Sequence, residues 1–88
     1  MKVKLSLVER DFLLKQVLKK RLDIVKKILQ GKEIFGKWQF EVTDNMLIDL
    51  DELCKDKMQE IGFDEDWNLT ESGKILDRII SLIYFMLN

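Results

Sequence analysis

Apolar residues recur along this chain at two different spacings. Over residues 2–7, Val3, Leu5 and Leu7 alternate with Lys2, Lys4 and Ser6, the period of a half-buried strand. Ser6 and Glu9 then form an S-x-x-E capping box, which predicts a helix starting at about Leu7. The helical spacing runs on to about Gln30. At about 100° per residue, the apolar positions from Leu7 to Leu29, among them Leu13, Val17, Leu18, Ile24 and Ile28, fill an arc of about 180°. Lys15, Lys19, Lys20, Lys26 and Lys27 lie on the opposite side, with Asp23 among them. Asp11–Lys15 and Asp23–Lys27 are expected as i,i+4 ion pairs with the acid N-terminal. Gly31 supplies the stop. Such a helix would be about 36 Å long. Its length and its wide apolar arc point to a homodimer.

Beyond Gly31 the period changes. Trp38, Phe40 and Val42 alternate with Lys37, Gln39 and Glu41, a strand pattern built from strand-forming residues. Gly36-Lys37 suits a II′ hairpin turn. The expectation is a short hairpin, or one strand paired with residues 2–5. Thr43 or Asp44 caps a second helix, about 45–61, with Met46, Leu47, Leu50, Leu53, Cys54, Met58 and Ile61 on one face. Asp49, Glu52, Asp56 and Glu60 lie on the other face. Thr70 or Ser72 caps a third helix, about 71–87, whose apolar stripe widens almost to a full circle at Tyr84, Phe85 and Leu87.

The fold expected is therefore mainly α, one domain over residues 1–88. It has three helices (about 7–30, 45–61 and 71–87) and a small two-stranded β element (about 2–5 and/or 33–43). The homodimer would form through the first and third helices. A chain of 88 residues is too short for two cores, and it buries only about 60–65% of its unfolded surface, so its stability margin is thin.

Charge adds a second layer. Residues 1–37 carry eleven Lys/Arg against four Asp/Glu, a net of +7. Residues 38–88 carry four against twelve, a net of −8. Both sets form the polar backs of amphipathic helices, so mutual attraction within a chain or across a dimer explains the sorting first. It points to an outside partner where the faces stay uncovered.

The candidate chemistry is thin. There is no histidine, so the commonest general base and metal ligand are missing. Cys54, on the apolar face of the second helix, reads as a small buried hydrophobe. Asp64, Asp66 and Asn68 have the spacing that opens an EF-hand loop. Leu69 and Ile75, however, occupy the positions that need glycine and a bidentate glutamate. No catalytic, cofactor or metal site is expected, and the chain is read as not an enzyme.

The N-terminal residues lack the apolar core of a signal peptide, and IISLIYFML is too short to span a membrane. One cysteine fits a reducing compartment. The expected location is cytoplasmic, away from membranes. The stretch GFDEDWNLTESGKILDRIISLIY resembles segments of short single-domain proteins of bacteria or their phages, and that resemblance implies no activity.

Two functions are expected from the charged faces. The leading one is a protein-interaction module (a regulator, inhibitor or immunity-like protein) acting through Asp49, Asp56, Glu60 and Asp64. The alternative is a nucleic-acid-binding regulator gripping phosphates with Lys15, Lys19 and Lys26, which would fall within about 40° of one another on a continuous first helix.

Overall fold

The alternation at both ends of the first half becomes one antiparallel sheet in the computed structural model, which describes residues 1–88. The chain divides into two compact units, Met1–Ile48 and Asp49–Asn88. The first holds β1 (Lys2–Ser6), α1 (Leu7–Phe12), a π-helical turn (Leu13–Val17), α2 (Leu22–Leu29), β2 (Lys32–Ile34) and β3 (Lys37–Glu41). Helix α3 (Asp44–Ile61) crosses the boundary, and α4 (Glu71–Leu87) lies in the second unit. Four α-helices and three strands thus replace the expected three helices and two strands.

The sheet has the order β1-β3-β2. The hairpin and the pairing with residues 2–5 both occur, one on each edge of β3, which makes the sheet three-stranded rather than two-stranded. Val3 pairs with Phe40 and Leu5 with Trp38, while Lys32 pairs with Gln39 and Ile34 with Lys37. Partners in register share a face. Val3, Leu5 and Phe40 are buried on one side of the sheet. Lys2, Lys4, Lys32, Lys37, Gln39 and Glu41 belong to the opposite side. The β2–β3 turn is Phe35-Gly36, with φ of 51° and 79°. Two positive φ values in a two-residue loop are the mark of a I′ turn, which corrects the II′ expectation.

The single long helix is the main correction. Its start is as expected: Ser6 Oγ accepts from the Glu9 amide at 3.1 Å, and the Ser6 amide donates to Glu9 Oε1 at 2.9 Å. The helix then widens, and the Leu18 amide donates to the Leu13 carbonyl five residues back at 2.9 Å. Arg21 leaves helical geometry altogether, at φ −110° and ψ 73°. The physical reason lies in burial. Leu13 and Leu18 are both fully buried. On a continuous α-helix they would point about 140° apart. The wider π turn brings Leu18 back towards the side of Leu13. The 180° arc is thus two narrower arcs of different phase, and a 36 Å helix is no longer a reason to expect a second copy. The acids pair close by as well: Asp11 with Arg10 and Asp23 with Arg21, each at 2.9 Å.

Trp38 ties the first unit together. Its Nε1 donates to the Ile28 carbonyl in the last turn of α2 at 2.8 Å, and the Arg10 guanidinium lies 4.5 Å from its ring centre. Gly31 is required beneath it, because a Cβ there would stand 2.8 Å from Trp38 Nε1.

The second unit turns sharply between α3 and α4. The Thr70 hydroxyl donates to the Ile61 carbonyl at 2.7 Å and accepts from the Gly73 amide at 3.0 Å, capping α4. The Thr70 amide donates to the Gly62 carbonyl at 2.9 Å. Leu50, Cys54, Leu76, Ile79 and Ile83 are its buried apolar residues.

Candidate functional site

Three of the four expected protein-binding residues share one face of α3. Asp49, Asp56 and Glu60 are spaced seven and four apart, which holds them within about 40° around the helix. Asp56 and Glu60 are exposed and Asp49 is half-buried. Glu60 also pairs with Lys57 at 3.2 Å, and Asp51 pairs with Lys55 at 2.8 Å. The second unit carries ten Asp/Glu against four Lys/Arg, so the unit as a whole is net negative with these local pairs counted.

Asp64, the fourth, has a different task. It lies in the α3–α4 loop, where its Oδ1 accepts from the amides of Asp66 and Asn68, each at 2.9 Å. Its backbone also donates to the Asn68 carbonyl at 2.9 Å and accepts from the Trp67 amide at 3.0 Å. This is an Asx turn, in which a carboxylate takes the part of a backbone acceptor. Asp64 builds the loop before it contributes charge to a surface.

That loop displays two exposed aromatic rings. Trp67 stands at φ 64° and is 81% exposed, and the exposed Phe63 ring lies 6.1 Å from it. Phe63 and Leu69 form a β-bridge across the loop mouth. Asp64, Glu65 and Asp66 separate the two rings in sequence. The available signal was FDEDWN itself: two large aromatics in a segment too polar to be core.

The basic candidates are not brought together. Lys15, Lys19 and Lys26 are exposed, but Lys15 lies in the π turn, Lys19 in the break after it and Lys26 on α2. Their predicted row needed one unbroken helix. A different set of lysines converges instead. Lys2, Lys27 and Lys32, from three elements, line a cleft of about 520 Å³ with Gln30, Gln39 and Glu41. Sequence spacing could not show this, because strand register brings Lys2 and Lys32 to the same site.

Cys54 is fully buried, and its thiol is pushed up to about 12 by desolvation first and by the neighbouring Asp51 charge second. A thiol so held is protonated and unreactive near neutrality. No helix is long and apolar enough to cross a membrane. A scan against protein-family models finds no match, and searches of curated proteins and of solved structures find none either.

Proposed function

We propose that this chain is a small non-enzymatic protein-interaction module whose second unit binds a basic partner. The observation that supports this reading is the alignment of Asp49, Asp56 and Glu60 on one face of α3, in a unit with a large excess of carboxylates. A negative face of this kind speeds encounter with a positive one and rejects acidic competitors. Individual exposed pairs add under about 1 kcal/mol, so selectivity comes from the face as a whole. The test is the double reversal Asp56→Lys/Glu60→Lys, with Asp64 left intact because it builds the loop. Capture of the partner is lost while the circular-dichroism melt stays unchanged. Undiminished capture by the folded variant sinks the reading.

A second reading has its own support in the cleft of Lys2, Lys27 and Lys32. Three ammonium groups around one cleft suit a phosphate-bearing ligand such as a nucleic-acid strand. It ranks second because Lys27 sits in the last turn of α2, where it already complements the negative end of the helix dipole. Fluorescence anisotropy with a labelled single strand and a labelled duplex at about 50 mM salt tests it: affinity must fall steeply as salt rises. No binding at low salt ends it.

A further inference from the structure

We propose that Trp67 and Phe63 are the apolar anchor of this interaction module, gripping an arginine- or lysine-rich segment of another protein within a rim formed by Asp64, Glu65 and Asp66. The proposal rests on the protein-interaction reading and supplies its point of contact.

The residue choice at position 67 conflicts with its backbone. A φ of 64° belongs to the left-handed region, which suits glycine or asparagine and disfavours a bulky ring. Asn68, a residue type that accepts this conformation, stands one place later and is not used for it. The ring gains no burial in return, being 81% exposed. A residue that serves neither its local conformation nor the core is a mark of a functional position. Only two non-glycine residues have positive φ, Phe35 and Trp67, and they are also the two most exposed large apolar side chains.

The loop around Trp67 is built to hold it out. Asp64 fixes the amides of Asp66, Trp67 and Asn68, and the Phe63–Leu69 bridge closes the mouth. A presented, pre-ordered tryptophan loses little freedom on binding, and tryptophan is among the residues that dominate interface energetics.

Charge identifies the occupant. The two rings are separated by three consecutive carboxylates, and the acidic face of α3 belongs to the same unit. An acidic segment would be repelled here. A guanidinium meets both demands at once: it stacks on an indole face and pairs with carboxylates. A lysine-rich segment meets them less completely, since ammonium lacks the planar fork.

The experiment is selection of phage-displayed random 12-residue peptides on the whole chain, followed by affinity measurement on three proteins: wild type, Trp67→Ala and Asp56→Lys/Glu60→Lys. Because Trp67 is exposed, Trp67→Ala is expected to fold, and Trp67→Phe serves as a second variant that keeps a ring. Selected peptides rich in Arg or Lys that bind Trp67→Ala about tenfold or more weaker, with partial recovery in Trp67→Phe, are the expected result. Peptides that bind Trp67→Ala as wild type but lose affinity for the charge-reversed protein overturn the anchor and leave the acidic-face reading standing. Peptides indifferent to both changes, or no enrichment at all, overturn both. A wild-type dimer in sedimentation that Trp67→Ala converts to monomer assigns the patch to a second copy and overturns the basic-segment occupant.

Discussion

A Cβ added to Gly73 would stand 2.9 Å from the carbonyl carbon of Gly62 and closer still to its oxygen, so the first turn of α4 lies backbone against backbone on the end of α3. No rotamer relieves that contact, because the obstacle is main chain. Gly73→Ala must push the helices apart at the corner that Thr70 ties. Overpacking of this kind costs about 1–3 kcal/mol. A urea unfolding curve measures it, with a fall in midpoint at unchanged slope expected.

The corner also orients the loop that carries Trp67. Trp67→Gly is expected to leave stability unchanged or raise it by up to about 1 kcal/mol, since glycine adopts positive φ without the steric cost borne by a side chain. The same substitution abolishes binding to any partner anchored on the indole. Stability and binding thus move apart, and parallel loss of both shows that the ring is structural.

At the other end of the chain, the Ser6–Glu9 capping box decides where β1 becomes α1. Ser6→Ala leaves the Glu9 amide without its acceptor and is expected to cost about 1 kcal/mol. Ser6→Asp, which keeps an acceptor near the positive end of the helix, restores most of that loss in the same thermal melt.

Cys54 predicts a pH dependence with a definite sign. Its folded thiol is raised to about 12, chiefly by burial. An unfolded cysteine ionises near about 8.5. Below that range both states hold the proton and nothing is lost. Above it the unfolded chain gives up its proton while the folded chain keeps it, so stability falls as pH rises towards about 12. Cys54→Ala is expected to flatten this decline in unfolding curves between pH 8 and pH 11. Native protein near pH 8 is also expected to resist a thiol-specific reagent until it is unfolded.

The cap at Ser6 was legible in the sequence, and those at Thr43 and Thr70 as one of two candidates each, because a cap is a local exchange between a side-chain oxygen and the amide three residues on. The strand alternation at 37–41 was legible because a side-chain period of two is written in the sequence itself. The break after Val17 was not, for it contains no proline or glycine, and the apolar pattern continues across it. Its cause is the five-residue interval between two buried leucines, which shows only once both are known to be buried. The third strand of the sheet was not legible, because alternation along a segment does not show that β3 is paired along both of its edges. Among the candidate residues, the shared face of Asp49, Asp56 and Glu60 follows from helical spacing alone. The Asx turn of Asp64 is not legible in the sequence, because it depends on loop geometry. The two aromatics of FDEDWN are legible as outliers in a polar segment, whereas the exposure of Trp67 and its ring contact with Phe63 are tertiary facts.

We propose that the second unit holds a basic partner by charge on α3. The measurement that tests it most directly is the affinity of one selected basic peptide for wild type and for Asp56→Lys/Glu60→Lys, each by titration calorimetry at about 50 and about 300 mM salt. Wild-type affinity is predicted to fall as salt screens the exposed charges, and the reversed protein to bind about tenfold or more weaker at low salt, with the difference shrinking at high salt. Equal affinities of the two folded proteins at both salt concentrations would contradict it.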